Sequence, residues 1–503
     1  MNQQHPGPDS PRIDPARMAI ALEVLREVSA LHPDHDDVRT MKRAASYMYK
    51  LIKKQRRAEI RLERQQHDLD IIARTATGSP MRIDDETAGI PLVSNTAGAF
   101  AGELITARGC YICKQDFTLV DAFYHWLCPS CAAMSHTKRD QRTDLTGKRA
   151  LLTGGRAKIG MYIALRLLRD GAHTTITTRF PKDAVRRFSA MPDSDDWLHR
   201  LKVVGIDLRD PTQVVSLADD VAAAGPLDIL INNACQTVRR TPGAYAPLVE
   251  AESLPLPDDS VPELVTFDRI SEAHPAAIAG ALRDTAVAHH EGESAEHAMA
   301  VHNAATLTAL ALKAGHASLD AHLAGTAVDA GGLLPDVQTN NSWTQTVGEV
   351  DPLELLEVQL CNSIAPFLLV SRLRPALAAA AAAATSGRAY VVNVSAMEGQ
   401  FSRRYKGPGH PHTNMAKAAL NMMTRTSSGE MFETDSILMT AVDTGWITDE
   451  RPHHEKLRIA AEGWHAPLDL VDGAARVYDP IVLGESGTDL FGCFVKDYQP
   501  SPW

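Results

Sequence analysis

The chain has 503 residues, a length that accommodates about three domains. Hydrophobic residues make up 44% and charged residues 22% of the sequence, as expected for a soluble globular protein. Acidic residues outnumber basic ones by 62 to 51, and the net charge of −11 disfavours nucleic-acid binding by the whole molecule. The start of the sequence lacks a signal-peptide pattern, and no apolar run approaches the about 18 residues of a membrane span, so a cytoplasmic protein is expected.

The first part of the chain is predicted to be helical. Residues 1–14 are polar and rich in proline, which indicates disorder. Asp14 followed by Pro15 is typical of a helix start, because the aspartate caps the helix and proline suits its first turn. Residues 15–75 are therefore expected to form two helices, the second of which starts near Asp36.

The second of these helices carries an apolar stripe and a basic end. The stripe has the alternating spacing of three and four residues that packs on another helix: Val38, Met41, Ala45, Met48 and Ile52. Its partner is either the first helix or a second copy of the chain. The basic end suggests a phosphate-binding surface, but a solvated helix face is the commoner meaning, and Glu59 and Glu63 dilute the charge.

Residues 76–104 are rich in turn-forming residues and are predicted to be a linker. Four of the seven cysteines follow in a C-x2-C-x14-C-x2-C arrangement: Cys110, Cys113, Cys128 and Cys131. This spacing is typical of a structural zinc site in a reducing compartment, with an iron–sulfur cluster or free thiols as alternatives. A shell closed by four thiolates leaves no position for catalysis. Residues 105–142 are thus predicted to form a zinc module that is either attached to the enzyme core as a structural element or used as a surface for a protein partner.

From Asp144 onward, predicted strands alternate with predicted helices. This alternation predicts an α/β fold with a doubly wound parallel Rossmann-type sheet over residues 143–503. The first four strands are expected at residues 149–153, 173–178, 201–206 and 228–231. A glycine-rich loop follows the first strand and would let the backbone approach a pyrophosphate: Thr153, Gly154, Gly155, Arg156, Lys158, Ile159 and Gly160.

The end of the second strand indicates which dinucleotide binds. Proteins that bind NAD(H) place an acidic residue about twenty residues after the glycines, but this chain has Arg179 there. Together with Arg156 and Lys158, this arginine favours a 2′-phosphate, so NADP(H) is predicted in preference to NAD(H). Residues at the ends of the next two strands complete the candidate cofactor site: Asp207, Leu208, Asn233 and Ala234.

These motifs resemble those of the short-chain dehydrogenase/reductase family over roughly residues 145–240 and 350–500. The glycine motif of that family is T-G-x-x-x-G-x-G, and Lys158 stands in place of its middle glycine. The sequence VDTGWIT resembles the loop after the sixth strand of the family, where Gly445 and Thr448 would lie beside the nicotinamide.

The resemblance also implies a set of catalytic residues. In the family, an asparagine supports the site, a serine polarises the carbonyl, a tyrosine donates the proton, and a lysine holds the nicotinamide ribose and lowers the tyrosine pKa. CNSIAPF retains the asparagine as Asn362, and HTNMAKAAL retains the lysine as Lys417. Thr413 stands at the tyrosine position and Ala396 at the serine position, with Ser395 beside it.

The proton donor is therefore non-standard. A nearby ammonium can bring the pKa of a phenol into the working range, but it cannot do so for an aliphatic hydroxyl such as that of Thr413. The preceding loop, QFSRRYKGPGHPH, offers four candidate replacements, although a polar loop contains such residues without any function: Tyr405, Lys406, His410 and His412.

An insertion at about residues 240–350 stands where the family has a short connection. Residues 250–296 are acidic and contain prolines, and residues 297–323 are rich in alanine and predicted to be helical. Because the insertion leaves the carboxyl edge of the sheet, it is predicted to form a lid or a substrate pocket. A surface excursion and a partner-docking arm are the alternatives.

Three functions are compatible with these features. The predicted one is an atypical NADP(H)-dependent oxidoreductase that acts on a small-molecule carbonyl or alcohol with a non-standard proton donor. A catalytically silent dinucleotide-binding scaffold or sensor and a non-redox, lyase-like or dehydratase-like enzyme are the alternatives. The resemblance implies a homo-oligomer, and the N-terminal helices or the zinc module are candidate sites for a protein partner.

Overall fold

The computed structural model describes residues 13–80, 82, 92, 94, 96–240, 242–256, 262–267, 271, 274–275, 329–333, 339–403 and 405–503. The described chain divides into two units, Met1–Asp70 and Ile71–Trp503. The disorder predicted for residues 1–14 and the helix predicted for residues 297–323 lie almost entirely outside the described residues.

The two expected helices are α1 (Pro15–Ser29), which lies in the first unit, and α2 (Asp36–Ala73), which lies in the first unit except for its last three residues. Asp14 caps α1 by accepting the Ala16 N–H at 2.9 Å, with Pro15 in the first turn, as the sequence predicted. Along the apolar stripe of α2, Val38 and Met41 are half-buried, whereas the later positions are exposed, with Met48 at 57%.

A small hairpin-and-helix module opens the second unit. It comprises β1 (Phe100–Gly109), antiparallel β2 (Asp116–Asp121) and α3 (Pro129–Asp140). Strand β1 begins inside the segment predicted to be a linker, because Phe100 pairs with Asp121 at the far end of β2. The core of the module includes Val120, Tyr124, Leu127 and Ala132.

Nine strands of the described chain form one sheet in the order β11-β10-β9-β8-β6-β3-β4-β5-β7. All neighbours pair in parallel except β10 and β11. The strands are β3 (Arg149–Leu152), β4 (His173–Thr178), β5 (Leu201–Gly205), β6 (Ile229–Asn232), β7 (Glu263–Thr266), β8 (Ala389–Ser395), β9 (Ile437–Asp443), β10 (Phe494–Lys496) and β11 (Gln499–Ser501). The strand order reverses at β3, and the crevice at such a point binds ligands in proteins of this architecture.

Helices cover both faces of the sheet. On one face, Ile163 and Val477 pack with Leu152 of β3, and on the other face Leu217 and Leu373 pack with Leu151. The described helices are α4 (Lys158–Arg169), α5 (Pro181–Ser189), α6 (Pro211–Ala223), α7 (Ala246–Ser253), α8 (Pro352–Gln359), α9 (Ala365–Ala383), α10 (Pro411–Asp435), α11 (His453–Ala461) and α12 (Leu470–Glu485). The predicted doubly wound α/β class is confirmed.

One helix of the described chain is long and apolar enough to cross a membrane. It is the continuous segment from α8 to α9, Pro352–Ala383, with a mean hydropathy of 1.5 in its most apolar window. One face of α9 is buried in the core beside α6, and Leu369, Leu373 and Leu377 are fully inaccessible. Half of that window is buried inside the protein.

The described part of the insertion extends the sheet. Strand β7 pairs in parallel with β5, with Val203 opposite Leu264, and forms the edge of the sheet. The sequence had not predicted this strand, since its four residues lie in an acidic, proline-bearing context. Before the chain returns at residue 339, the described part of the insertion also includes a 3-10 turn (Pro242–Tyr245), helix α7, residues 271 and 274–275, and the turn at residues 329–333.

Candidate cofactor and substrate site

The glycine-rich loop packs closely against the end of β6. Gly154 has a φ of 70°, and a Cβ atom there would lie 2.9 Å from Ala234 Cα. A Cβ on Gly160 would lie 2.0 Å from Gly154 O, so neither position accepts a side chain. Thr153 Oγ1 accepts the N–H groups of Asn233 and Ala234, each at 3.0 Å. The loop and the N-N-A motif therefore pack against each other at the carboxyl edge of the sheet.

Lys158 adopts the left-handed conformation, with a φ of 53°. This explains why the family motif has glycine there, since a residue with a side chain is strained in that region. Its Nζ lies 3.3 Å from Asp329 Oδ2 in the insertion. The neighbouring Ile159 packs against the core instead, 3.3 Å from where a Cβ on Gly473 would lie.

The three cations predicted for a 2′-phosphate have different partners. Arg156 donates to Asp183 Oδ2 at 2.5 Å and to Gly331 O at 2.7 Å, and burial lowers its pKa. Arg179 is exposed and lies over the Tyr245 ring, 5.2 Å from its centroid. Arg156 and Lys158 therefore contact carboxylates, whereas Arg179 contacts the Tyr245 ring and donates to the Tyr245 hydroxyl at 3.4 Å.

Asp207 and Leu208 form the turn after β5. Burial by itself would raise the pKa of Asp207, but hydrogen bonds from His274 and Arg209 outweigh burial and hold that pKa well below its ordinary value. His274 Nε2 lies 3.2 Å from Asp207 Oδ2, and Arg209 Nε donates to Asp207 Oδ1 at 2.9 Å. Leu208 is buried in the core. The charged Asp207 carboxylate therefore stabilises the turn, and both of its oxygens already have hydrogen-bond partners.

Helix α10 carries the retained lysine and the threonine that replaces tyrosine. Lys417 is buried, and its Nζ donates to Val394 O at 2.8 Å. Thr413 lies one turn earlier, also buried, and its Oγ1 donates to Thr237 O at 3.5 Å. Helix α10 therefore contacts both the end of β8 and the loop that follows β6.

Asn362 holds the adjacent residue of that loop. It lies in a π-helical turn, Leu360–Ile364, that joins α8 to α9. Gln236 N–H donates to Asn362 Oδ1 at 2.7 Å, and Asn362 Nδ2 donates to Gln236 O at 2.9 Å. The Gln236 side chain also donates to Glu357 Oε2 at 2.8 Å. The roles of Gln236 and Glu357 were not apparent from the sequence, where neither belongs to a motif.

Ser395 forms a hydrogen bond with another buried side chain at the edge of the site. It ends β8, is buried, and donates through Oγ to Asn421 Oδ1 at 2.6 Å. Asn421 Nδ2 donates in turn to Gly399 O at 3.0 Å. These bonds tie α10 to the loop after β8, so Ser395 has a supporting contact at the edge of the site.

The loop before α10 places its candidate proton donors differently. Tyr405 is 75% exposed. Lys406 Nζ donates to Met397 O at 2.9 Å, and burial lowers the pKa of this lysine. His410 is stacked on Trp343, with ring centroids 4.0 Å apart, and its Nδ1 lies 2.8 Å from Trp343 O. Of these three side chains, Lys406 and His410 have structural partners and Tyr405 faces solvent.

His412 differs from the other loop candidates. It is only 1% exposed, and both ring nitrogens are buried without a hydrogen-bond partner among the described residues. Burial, and to a lesser degree His410, lowers the pKa of His412. Gln359 Nε2 donates to the His412 carbonyl at 2.9 Å, so the backbone is fixed beside Thr413. The imidazole is thus neutral at neutral pH, with two polar atoms that a ligand could satisfy.

The loop after β9 contains the two residues predicted to lie near the nicotinamide. Gly445 has a φ of 78°, and its N–H donates to Asp443 Oδ1 at 3.0 Å. Thr448 is half-buried three residues later. The Trp446 N–H donates to Tyr111 Oη of the cysteine module at 2.9 Å, a contact that the sequence did not predict.

The four module cysteines converge. Each offers a sulfur, and the four sulfurs lie within 4.8 Å of one another. Cys113 and Cys128 sulfurs are 3.7 Å apart, close to the about 3.8 Å that tetrahedral zinc with bonds of about 2.3 Å requires. Four thiolates in this arrangement fit a zinc ion.

The parallel sheet and the glycine-rich turn at its switch point define an α/β protein of the Rossmann type. The family model for short chain dehydrogenases matches residues 148–247. An uncharacterized protein of Acanthamoeba polyphaga mimivirus is 30% identical over 394 residues, which are 74% of this chain and 71% of that protein. The chain belongs to the short-chain dehydrogenase/reductase family.

Two further similarities are more limited. A probable oxidoreductase of Streptomyces antibioticus is 39% identical over 94 residues, and the match spans 18% of this chain and 30% of that protein. A crystal structure of NADPH-bound carbonyl reductase from chicken fatty liver has 17% sequence identity and a TM-score of 0.41, covering 73% of this chain and 98% of that one.

Proposed function

We propose that the protein is an NADP(H)-dependent oxidoreductase that interconverts a small-molecule carbonyl and the corresponding alcohol. One observation carries the proposal: Asn362 and Thr413 contact the consecutive residues Gln236 and Thr237, with Lys417 one helical turn beyond. This convergence at the carboxyl edge of the sheet supports a reaction site next to the glycine-rich loop.

The residues present fit a dinucleotide. Gly154 and Gly160 leave no room for side chains, so backbone N–H groups at the start of α4 are available to a pyrophosphate. Lys417 would hold the nicotinamide ribose. When bound, the dinucleotide supplies or accepts the hydride. Exposed Arg179 favours NADP(H), because it is the cation best able to turn toward a 2′-phosphate.

His412 is the proposed proton-exchanging residue. During alcohol oxidation, its neutral imidazole would accept the hydroxyl proton as the hydride leaves the carbinol carbon. In the reverse direction, the imidazolium would return that proton to the carbonyl oxygen as the hydride arrives at carbon. The lowered pKa of His412 favours the base form, so oxidation is the direction suited to neutral pH. Thr413, next in sequence, would bind the substrate oxygen without supplying its proton.

Zinc at the four cysteines is proposed to be structural. The cluster supplies four ligands and leaves no open coordination position. The module core around Tyr124 and Leu127 is small, and a metal would compensate for its limited hydrophobic burial.

Titration of the purified protein with NADPH and NADH, followed by turnover measurements on a panel of ketones, aldehydes and secondary alcohols, tests the proposal. Lys417→Met should abolish turnover and weaken dinucleotide binding, whereas Lys53→Met on the exposed face of α2 should change neither. Absence of binding for both dinucleotides would refute the proposal.

The engagement of Ser395 with Asn421 favours a second candidate function, a dinucleotide-binding scaffold or sensor. Ser395 already donates to Asn421 and Ala396 has no hydroxyl, so neither of these residues can polarise a carbonyl. Thr413 is a poor acid. Tight dinucleotide binding without turnover, together with biological activity that survives Lys417→Met, would support the scaffold over the enzyme.

A further inference from the structure

The cysteine module contacts the loop that follows β9, here called the β9 loop (residues 444–452). The contact starts inside the first metal-binding knuckle, because Tyr111 lies between Cys110 and Cys113. Tyr111 Oη accepts the Trp446 N–H at 2.9 Å, across 335 positions of sequence.

Aromatic and aliphatic packing reinforces that hydrogen bond. The Trp126 ring of the module lies 5.9 Å from Trp446 and 5.7 Å from Trp464, both in edge-on geometry. Ile447 of the β9 loop and Leu468 are buried members of the module's own hydrophobic cluster. The β9 loop is thus packed as part of the module core.

Arg82 adds polar contacts from the segment before β1. It is buried and donates to Ala466 O at 2.6 Å, to Leu468 O at 2.5 Å and to Ile447 O at 3.4 Å. An arginine that satisfies three backbone carbonyls of one region fixes that region firmly, since charge-assisted hydrogen bonds are among the stronger ones.

The module also anchors the start of α12. Arg139 makes a two-pronged contact with the Asp469 carboxylate, at 2.5 and 3.1 Å, and Tyr124 Oη donates to Asp472 Oδ1 at 2.6 Å. Asp469 is the N-cap of α12, so the module fixes the place where this helix begins.

The β9 loop also lies close to α4, the helix that follows the glycine-rich loop. A Cβ on Gly473 would lie 3.0 Å from Ile447 Cδ1 and 3.3 Å from Ile159 Cδ1. Ile159 stands at the start of α4, and Ile447 stands two residues after Gly445. The contacts therefore run without a break from the metal knuckle to the loop whose amides would receive a pyrophosphate.

We infer that Tyr111 is a positioning residue through which metal binding at the four cysteines sets the β9 loop for the dinucleotide. The metal fixes the Cys110–Cys113 knuckle, the knuckle holds the Tyr111 hydroxyl, and the hydroxyl holds the Trp446 backbone next to Gly445. Loss of the metal should release the β9 loop before it disturbs the strands of the sheet. The inference rests on the proposed function only where dinucleotide affinity is the readout.

Tyr111→Phe tests the inference, with Tyr49→Phe on the exposed surface of α2 as the control. The variant should retain zinc and the wild-type circular dichroism spectrum. Because Trp446 N–H loses its acceptor, amide hydrogen exchange should accelerate in the β9 loop but not in β3, and NADPH affinity should fall roughly tenfold. A rise in KM for NADPH with nearly unchanged kcat is expected, since the hydroxyl does not touch the reacting atoms.

Chelation of the wild-type protein provides the second arm, which remains informative if the variant folds poorly. Stripping the metal should accelerate exchange in the β9 loop, and adding zinc back should restore protection. Equal exchange in the β9 loop with and without metal, or wild-type exchange and affinity in the folded zinc-bearing variant, would overturn the inference. If the wild type binds neither dinucleotide, the proposed function fails, and the exchange data alone still decide whether the coupling exists.

Discussion

The Asn362 side chain forms two hydrogen bonds with the backbone of Gln236: it accepts the N–H at 2.7 Å and donates to the carbonyl at 2.9 Å. This places a buried amide against both polar groups of one residue in the loop after β6. The π-helical turn at Leu360–Ile364 supports the contact, and such turns often occur at functional sites. Asn362 therefore determines where the loop carrying Gln236 and Thr237 lies.

Replacement of Asn362 by alanine should destabilise the protein by about 2 kcal/mol, because two buried backbone groups lose their partners. Asn362→Asp keeps the acceptor but places a buried carboxylate against the Gln236 carbonyl, so it should destabilise the protein at least as much. Urea unfolding measures both variants. Wild-type stability in Asn362→Ala would mean that water replaces the amide and that the loop does not depend on this side chain.

Replacement of Lys158 tests the strain in the glycine-rich loop. With a φ of 53°, the lysine occupies a region in which glycine is unstrained. Lys158→Gly and Lys158→Ala both remove the contact with Asp329, so their difference isolates the backbone conformation. The glycine variant should be about 1 kcal/mol more stable than the alanine variant in chemical denaturation. Equal stabilities would argue against a left-handed residue at this position.

The strands and helices around this loop could be predicted because they depend on local pattern. Strand β4 has the predicted bounds, His173–Thr178, and β3, β5 and β6 differ from the prediction by a residue at one or both ends. Sequence also located Lys158 at the family's glycine position, since the T-G and the final glycine fix the spacing. Periodicity and spacing depend on residues that are close in sequence, so they can be recognised without knowledge of the fold.

The contacts that organise the site could not be predicted in the same way. Tyr111 and Trp446 meet across 335 positions, and Gln236 and Asn362 meet across 126. Neither pair belongs to a shared motif, so only the folded chain reveals them. The hydrogen bond from Ser395 to Asn421 is a similar case, because the sequence identifies the serine but does not show where its hydroxyl points.

His412 should make stability depend on pH in a defined direction. Its pKa is lower in the folded protein than the ordinary value of 6.5, so the unfolded chain binds more protons as the pH falls below that value. The contribution of His412 therefore disfavours folding below about pH 6.5 and is absent above it. His125 and His465, which also have lowered pKa values, act in the same direction.

The comparison of wild type with His412→Asn isolates this histidine. The stability difference between pH 7.5 and pH 5.5 should be smaller in the variant, as measured by urea unfolding at both pH values. If His412 exchanges the substrate proton, the variant should also lose alcohol oxidation at least a hundredfold while retaining dinucleotide affinity. His410→Asn, which disturbs the stack on Trp343, serves as the neighbouring control. Full activity in His412→Asn would assign the proton to another group.

Arg179 should set the preference for the phosphorylated dinucleotide. Its guanidinium is exposed over the Tyr245 ring, whereas Arg156 is tied to Asp183 and to the Gly331 carbonyl. Arg179→Gln should therefore weaken NADPH binding about tenfold and leave NADH binding almost unchanged, which fluorescence titration can measure.

The same substitution at Arg156 separates recognition from structure. Arg156→Gln breaks a buried ion pair and leaves Asp183 without that partner, so the expected result is lower stability with similar losses of affinity for both dinucleotides. A selective loss of NADPH affinity in Arg156→Gln, with none in Arg179→Gln, would mean that the turn at residues 329–333 moves away when NADP(H) binds. The 2′-phosphate would then replace the Gly331 carbonyl as the partner of Arg156, and the insertion would be part of the cofactor site.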